Sequence, residues 1–298
     1  MLVRVVLLGT AAGGGFPQWN CACALCTAAR DGTLPSRTQE GAAVTGNGRD
    51  WWLLNASPDL RTQLTATPAL RPGPGPRQSP LRGVLLTDAE ADHVTGLTVL
   101  RGAPGLRIYA AAPVLAALAP VRAALDRYAP WTWTDSLSDG GFVLAGGLVV
   151  TARPVGAKTP KYLPAAMARP ADAWVTAYRV EDLATGGVLV YAPCVGVWTP
   201  GLDELLSEAD CVLLDGTFYA ADEMGTAVGA RSGQAAMGHL PVTGPSGTLA
   251  ALARHPRPRR IYTHLNNTNP LLDPASPARA RVAGMGIEVL PDGAESAL

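Results

Sequence analysis

Two histidines and one aspartate stand just beyond apolar runs and offer the ligand atoms of a metal site. Asp92 and His93 follow the run 83–86, and His264 follows the run 260–262. Such short apolar runs are typical of buried strands, and α/β folds place their chemistry beyond the carboxyl ends of strands. Two imidazoles and a carboxylate form the facial triad associated with ferrous iron and oxygen chemistry. The alternative is that these polar residues only cap helices at the strand ends.

A second cluster contains three of the five cysteines, Cys21, Cys23 and Cys26. In a reducing compartment this tight spacing favours a metal ion over a disulfide. Zinc held by cysteines is tetrahedral and structural, so the spacing predicts a zinc site. The alternative is an apolar turn with incidental cysteines. The other two, Cys194 and Cys211, lie in or beside apolar runs and are expected to be small buried hydrophobic residues.

The remaining elements must position these groups. Helical spacing marks the stretches 113–127 and 247–254, and residues 71–77 are too rich in proline and glycine for a helix or central strand. Strands that alternate with helices predict a layered α/β fold, with residues 160–170 as a flap near the site. The predicted strands lie at 3–8, 51–54, 84–86, 148–150, 188–191, 211–214 and 261–262.

Composition narrows the functional classes. With 298 residues, 48% hydrophobic and 16% charged, the chain can bury a large core and is not disordered. Lys+Arg and Asp+Glu are equal at 24 each, and no basic tract is present, so no nucleic-acid partner is expected. No apolar stretch reaches the roughly 20 residues that span a bilayer, and the first ten residues fit a core strand better than a signal peptide. The expected location is the cytoplasm.

The order of the motifs resembles the metallo-β-lactamase superfamily and, more narrowly, the pyrroloquinoline quinone (PQQ) biosynthesis protein B family. The similarity extends from Gly9 to about Leu272. It implies that residues 1–298 form a single domain, a metallo-β-lactamase-like αββα sandwich of the α/β class, with a Cys-rich zinc-binding loop at 16–30. The segments that carry the narrower resemblance are Gly14-Gly15-Phe16-Pro17-Gln18-Trp19-Asn20-Cys21, Leu86-Thr87-Asp88 with Asp92-His93, Met237-Gly238-His239-Leu240-Pro241 and His264-Leu265-Asn266-Asn267-Thr268-Asn269-Pro270.

The chain departs from the superfamily motif His-x-His-x-Asp-His. Asp88 and Glu90 replace the first two histidines, while Asp92 and His93 remain. The middle stretch 153–158 has no histidine, and the strand-end turn 191–194 lacks the aspartate that bridges two metals. The resemblance therefore implies that only the second metal's ligands are retained. This departure works against two-metal hydrolysis, which needs both ions.

The resemblance implies a role in PQQ assembly. Fe(II) held by Asp92, His93 and His264 would hydroxylate the tyrosine ring of a Glu–Tyr peptide-derived intermediate, and the cysteines would hold structural zinc. The implied partners are a small amino-acid-derived PQQ precursor and other PQQ-pathway proteins, with no nucleic acid and no membrane, and the chain would be a monomer or homodimer. The alternatives are a zinc metallohydrolase in the same pocket and a non-catalytic PQQ carrier.

Four further residues are candidates for catalytic roles. Asp88 and Glu90 would orient the ligand imidazoles or a water, or hold the amino group of the substrate. His239 matches a site-facing histidine of some superfamily hydrolases and suits a proton shuttle for a phenol, unless it is only a turn residue. Asp215 follows another apolar run on the same side of the fold.

The asparagines after His264 have two interpretations. Asn267 stands where related phosphodiesterases carry a histidine that completes the cysteine zinc site. The fourth zinc ligand is therefore Asn267, Asn269 or a water, or else the stretch 266–270 is only a turn that ends the strand. His255, among arginines and prolines, is expected at the surface.

Overall fold

Two seven-stranded sheets pack face to face in the computed structural model, with helices against their outer sides. The structure describes residues 3–167, 169, 172–229 and 237–298. This layering is the αββα sandwich that the sequence predicted. Within the described residues, no helix is both long enough and apolar enough to cross a membrane.

Each sheet changes from antiparallel to parallel pairing along its width. The first has the order β14-β1-β2-β3-β4-β5-β6 and is parallel from β3 to β6; the second has the order β13-β12-β11-β10-β9-β8-β7 and is parallel from β10 to β13. In chain order the strands are β1 (Arg4–Gly9), β2 (Gly41–Thr45), β3 (Trp51–Leu54), β4 (Leu81–Leu85), β5 (Arg107–Ala110), β6 (Thr132–Asp135), β7 (Phe142–Leu144), β8 (Leu148–Gly156), β9 (Val175–Asp182), β10 (Val188–Ala192), β11 (Cys211–Asp215), β12 (Arg259–Thr263), β13 (Ile287–Glu288) and β14 (Glu295–Ala297).

The predicted strands are buried on both faces, which explains why they appear as continuous apolar runs. In β1, Val5 and Leu7 face the partner sheet, whereas Val6 and Leu8 belong to the outer core beneath the helices. Side chains alternate between faces with a period of two. Each fully buried aliphatic side chain stabilises the folded state by roughly 1.5–3 kcal/mol relative to an exposed one. The two cores therefore stabilise the strands that lead into the predicted site.

The helices begin at residues suited to start them. Thr199 and Ser276 each accept a backbone hydrogen bond from the first turn, and each is followed by proline. The predicted helix at 113–127 forms two helices, because Pro120 has no N–H to donate to the preceding turn. The helices are α1 (Ala24–Arg30), α2 (Leu60–Ala66), α3 (Ala91–Val94), α4 (Ala112–Ala117), α5 (Ala119–Leu125), α6 (Pro200–Glu208), α7 (Glu223–Val228), α8 (Thr248–Leu252) and α9 (Pro277–Gly284).

The segment 71–77 forms neither helix nor strand and is largely exposed. This agrees with the prediction that this insertion, rich in proline and glycine, is neither helix nor central strand. The insertion lies before β4, the strand that leads into the site, and it leaves the register of β3 and β4 at residues 52–54 intact.

Candidate metal centre and pocket

The predicted site residues lie where parallel strands of both sheets end. In the first sheet, β4 leads through Asp88 into α3, which carries Asp92 and His93. In the second sheet, the neighbouring strands β11 and β12 end at Asp215 and just before His264. Parallel strands place their carboxyl ends along one edge, so segments far apart in sequence line one pocket of about 390 Å³.

His93 is held from behind and faces the pocket with its second nitrogen. The side chain is 1% exposed, and Nδ1 lies 2.8 and 2.9 Å from the two carboxylate oxygens of Asp88. A carboxylate only accepts, so Nδ1 carries the proton. The buried Nε2 has no hydrogen-bond partner and lies 3.8 Å from Asp92 Oδ2. Leaving a buried polar atom without a partner costs about 1–3 kcal/mol, which points to a ligand in front of it.

His264 is oriented in the same way from the opposite side. Its Nδ1 lies 2.7 Å from Thr217 Oγ1, which itself donates to Asp215, and its Nε2 lies 3.3 Å from Asp92 Oδ2. The backbone φ of His264 is +58°, a left-handed conformation that costs a non-glycine residue roughly 1–3 kcal/mol. A backbone hydrogen bond from the N–H of Leu265 to the carbonyl of Thr10 holds this turn. The strained conformation thus directs the imidazole into the pocket.

The charges around Asp92 favour a cation. Burial alone lowers the pKa of His93, but the carboxylates of Asp88 and Asp92 outweigh it and raise this pKa to about 10. Burial raises the pKa of Asp92, yet the charge of His93 and the hydrogen bond from His264 lower it overall. The carboxylates of Asp88 and Asp92 thus favour positive charge at this end of the pocket.

The residues present fit a metal ion. The two Nε2 atoms and Asp92 Oδ2 converge, and the two imidazole centroids lie 5.1 Å apart. Gly13 leaves the approach to the carboxylate open, since a Cβ there would lie 3.0 Å from Asp92 Oδ2. Nitrogen and oxygen donors of this type suit a divalent first-row metal.

The two acids that replace motif histidines have different surroundings. Both oxygens of Asp88 contact His93 Nδ1, and Asp88 does not line the pocket. Glu90 does line it and forms an ion pair with Lys158, with 2.6 Å between Oε1 and Nζ. Asp88 therefore orients the His93 imidazole, whereas Glu90 faces the pocket.

His239 and Asp215 form a second pair beside His264. His239 Nδ1 lies 2.8 Å from Asp215 Oδ2, and its ring is stacked on that of His264 with centroids 5.2 Å apart. His239 lines the pocket, while the fully buried Asp215 lies behind it and also accepts a hydrogen bond from the backbone of Val195. Asp215 can act on a substrate only through His239.

The predicted flap contributes to the pocket mouth. Lys161 and Tyr162 line the pocket, and the Tyr162 hydroxyl donates to the carbonyl of Ala89. A short 3-10 turn follows at Ala165–Met167. Residues 168 and 170 of the predicted flap lie outside the described residues. The mouth thus combines cations, a phenol and the Glu90 carboxylate.

Cys194 is a buried residue of the core, as predicted, and it also lines the pocket. It is 6% exposed. Its sulfur and one ring nitrogen each of His93 and His264 all lie within 4.8 Å of one another. One sign of this position is present in the sequence, because Cys194 lies in the turn 191–194, where the superfamily has the aspartate that bridges two metals. Cys211 agrees with the prediction and lies in the core between the sheets.

The cysteine cluster lies against the loop that follows His264. The sulfurs of Cys21, Cys23 and Cys26 lie within 4.8 Å of one another. The side-chain amide nitrogen of Asn267 lies 3.2 Å from the first sulfur, 3.9 Å from the second and 3.3 Å from the third. A half-turn of this amide presents its oxygen instead, so Asn267 remains a candidate fourth ligand.

Asn269 is wrongly placed for that role. Its Nδ2 donates to the carbonyls of Gly216 and Thr217 at 2.6 and 3.1 Å, and its Oδ1 accepts from the backbone of Leu271 at 2.9 Å. Both ends of the amide are therefore occupied in tying the His264 loop to β11. Of the two asparagines that the sequence suggested as a fourth zinc ligand, these contacts leave only Asn267 as a candidate.

His255 also differs from its expected surface position. Its side chain is only 10% exposed, and Nε2 lies 2.7 Å from Asp203 Oδ1 on α6. It does not line the pocket. His255 therefore links the segment after α8 to α6.

Comparison with known proteins agrees with this fold. The β-lactamase superfamily domain matches residues 50–265, and the chain belongs to that superfamily. Coenzyme PQQ synthesis protein B of Cupriavidus necator is 42% identical over 307 residues that cover 100% of both chains. The chain is a member of this PQQ synthesis protein B family, as its motifs indicated.

Two solved structures are similar over the whole chain. The Zn²⁺-bound PqqB from Methylobacterium extorquens is 38% identical, with a TM-score of 0.91 over 99% of this chain and 100% of that one. A diphosphatase from the PhnP family, 17% identical, has a TM-score of 0.69 over 100% of this chain and 98% of that one. The second similarity concerns the fold alone.

Proposed function

We propose that this protein is an enzyme of PQQ biosynthesis that hydroxylates the tyrosine ring of a Glu–Tyr peptide-derived intermediate with Fe(II). One observation carries the proposal. The Nε2 atoms of His93 and His264 converge on Asp92 Oδ2 in a pocket, and the Nε2 of His93 is buried without a partner. Membership of the PQQ synthesis protein B family supports the pathway.

Asp92, His93 and His264 would hold the iron. With this ligand set, ferrous iron supplies the activation of dioxygen for transfer to an aromatic ring. Asp88 and Thr217 hold the Nδ1 atoms of the two imidazoles and so direct Nε2 towards the metal position. Their task is to keep the ligand geometry fixed while substrate enters.

His239 would move the phenol proton. Its Nδ1 is held by Asp215, which leaves Nε2 to face the pocket it lines. The carboxylate partner stabilises the imidazolium that forms when Nε2 takes a proton. Asp215 is thus a positioning residue for His239.

The pocket mouth would bind the ends of an amino-acid-derived substrate. Lys158 and Lys161 offer positive charge to carboxylates, and Glu90 offers a carboxylate to an amino group. The ion pair between Glu90 and Lys158 keeps both groups at the mouth before substrate arrives. A substrate that carries a carboxylate and an amino group can replace this ion pair with two others, one to Lys158 and one to Glu90.

Structural zinc would occupy the three cysteines, with Asn267 or a water as the fourth ligand. The cluster lies against the segment after His264 and braces it. All five cysteines are free thiols, which supports the expected cytoplasmic location. Further partners would be other PQQ-pathway proteins, and monomer and homodimer both remain predictions.

Two-metal hydrolysis has little support in this pocket. Asp88 is engaged with His93, and Glu90 is paired with Lys158, so neither points to a second ion beside the first. Hydrolysis of that kind needs a clamp on the attacking and leaving oxygens. A zinc hydrolase and a PQQ carrier are therefore outcomes to test.

The decisive experiment is anaerobic reconstitution with Fe(II), followed by exposure to oxygen with a Glu–Tyr peptide mimic and ascorbate as reductant. Oxygen uptake and mass spectrometry report the reaction. We expect the mimic to gain one or two oxygen atoms, and His93→Ala to abolish the gain. The matched control is His255→Ala, which alters a histidine outside the pocket and should leave the reaction intact.

Each other result has a definite meaning. Tight binding of PQQ without any oxygenated product would favour the carrier. Cleavage of a substrate with zinc, but no reaction with iron, would favour the hydrolase. Equal product from His93→Ala and the unmodified protein would show that the iron acts elsewhere.

A further inference from the structure

Cys194 lines the pocket together with His93 and His264. It follows β10, the strand next to β11, and its sulfur lies within 4.8 Å of a ring nitrogen of both His93 and His264. The side chain is 6% exposed. The sulfur is thus close to two imidazoles whose Nδ1 atoms are already held by Asp88 and Thr217.

The backbone around Cys194 is fixed in this place. The N–H of Val195 donates to Asp215 Oδ2 at 2.7 Å, and the N–H groups of Gly196 and Val197 both donate to the carbonyl of Val155 at 3.2 Å. The carbonyl of Val195 accepts from Leu240 at 2.8 Å. The turn is thus tied to three elements, so the sulfur is presented by a rigid support.

A second observation points to a shared ligand. His93 Nε2 is buried, has no hydrogen-bond partner and belongs to a side chain 1% exposed. A metal ion binds a histidine nitrogen at about 2.0–2.1 Å and a thiolate at about 2.3 Å. Around a tetrahedral ion these bond lengths place a nitrogen and a sulfur about 3.5 Å apart, and the sulfur of Cys194 lies within 4.8 Å of both ring nitrogens.

We propose that Cys194 is a fourth protein ligand of the pocket metal, binding as a thiolate beside Asp92, His93 and His264. The thiol releases its proton to solvent as the metal binds, and no electron transfer is involved. The inference rests on the metal site of the proposed function and adds a sulfur donor to its nitrogen and oxygen donors.

A thiolate changes which metals the pocket accepts. Sulfur donors favour softer ions such as Fe(II), Co(II) and Zn(II), whereas Mg(II) and Mn(II) prefer oxygen. Four protein ligands fill a tetrahedral zinc site but leave two open positions on a six-coordinate ion. With these four ligands, a zinc ion would have no free coordination position, whereas an iron ion would keep two.

The test uses Co(II), because a thiolate bound to cobalt gives an intense near-ultraviolet band that nitrogen and oxygen ligands do not. The full-length protein is first loaded with one equivalent of zinc to fill the cysteine cluster, and Co(II) is then titrated. We expect visible cobalt bands together with the thiolate band. In Cys194→Ser the visible bands should persist, the thiolate band should disappear, and Co(II) should bind at least about tenfold more weakly.

The matched control is Cys211→Ser, which changes a buried cysteine between the sheets and should keep the thiolate band. Cys194→Ala serves as a second variant if the serine variant does not fold. Visible cobalt bands without a thiolate band in the unmodified protein would overturn this inference alone. A thiolate band that persists in Cys194→Ser and Cys194→Ala would do the same, because it would come from the cluster. If the zinc-loaded protein binds no cobalt in the pocket, the proposed metal site fails as well.

Discussion

Each of three imidazoles that line the pocket has its Nδ1 tied to a polar partner, which leaves Nε2 for the pocket. His93 is held by Asp88, His264 by Thr217 and His239 by Asp215. A partner on Nδ1 sets the tautomer and the ring orientation, which determine how well Nε2 binds a metal or takes a proton. These hydrogen-bond partners therefore determine the chemistry of the site together with the histidines.

Replacement of Asp88 tests this orientation. Asp88→Asn keeps the shape of the side chain but removes the charge that holds His93, so we expect metal binding in the pocket to weaken about 10–100-fold. Competition with a chelator measures the affinity. Asp203→Asn, which removes the partner of His255 outside the pocket, is the control. Unchanged affinity in Asp88→Asn would contradict the orienting role.

Removal of a ligand tests the assignment of two separate metals. His264→Ala should lose the pocket metal, because it deletes one of the converging nitrogens, while the zinc on the cysteines stays. Elemental analysis of the purified protein counts both metals. His255→Ala should keep both. Equal loss of the two metals from His264→Ala would mean that the ligands are wrongly assigned.

The short helix α3 carries two of the proposed metal ligands and is held tightly against the end of β3. The N–H of Ala56 donates to the carbonyl of His93 at 2.7 Å, and the N–H of Gly96 donates back to Ala56 at 2.9 Å. A Cβ on Gly96 would lie 2.2 Å from the carbonyl oxygen of Ser57. The position therefore requires glycine for close approach of two backbones.

We expect Gly96→Ala to push α3 away from the sheet. The free energy of unfolding should fall by about 1–3 kcal/mol or more, and the pocket metal should bind more weakly because Asp92 and His93 move. Urea denaturation and chelator competition measure the two effects. In Gly284→Ala, at the end of α9, a Cβ meets no atom within 4 Å, so stability should be unchanged or rise by up to about 1 kcal/mol. Equal stability and equal metal affinity in the two variants would contradict the close backbone packing at Gly96.

A buried polar network connects the two sheets beneath the site. Glu40, just before β2, accepts a hydrogen bond from the Tyr191 hydroxyl of β10 at 2.5 Å. Asn55, at the end of β3, donates to the same hydroxyl at 3.0 Å and accepts from the backbone of Thr87 at 2.9 Å. Burial raises the pKa of Glu40 to about 7. The network thus joins the sheets through a carboxyl group that favours its neutral form.

This network predicts a pH-dependent stability. The folded protein binds the Glu40 proton more tightly than the unfolded chain, whose ordinary pKa is 4.5. The free energy of unfolding should therefore fall as pH rises from about 4.5 to 7, by roughly 3 kcal/mol from this group. Glu40→Gln stays neutral and should lose most of that decline in urea denaturation at matched metal content. Glu204→Gln, on the exposed side of α6, is the control, and an identical pH profile in Glu40→Gln would rule out the effect.

The chemistry-bearing residues and the strands that carry them follow from the amino-acid order alone. Continuous apolar runs predicted β1, β3, β4, β8, β10, β11 and β12, because strands buried on both faces leave a local pattern. The motifs at Asp92, His93 and His264 predicted a metal site, and the cysteine spacing predicted another. Type and spacing are local properties, so a sequence displays them directly.

Tertiary structure alone decided which atoms meet. His264 Nε2 and Asp92 Oδ2 are 172 positions apart in the chain, and their approach depends on the two sheets packing face to face. The same packing placed Cys194 close to two imidazoles, engaged Asn269 away from the cysteines and paired Glu90 with Lys158. Side-chain direction at a strand end is set by contacts with distant segments, and no local spacing encodes those contacts.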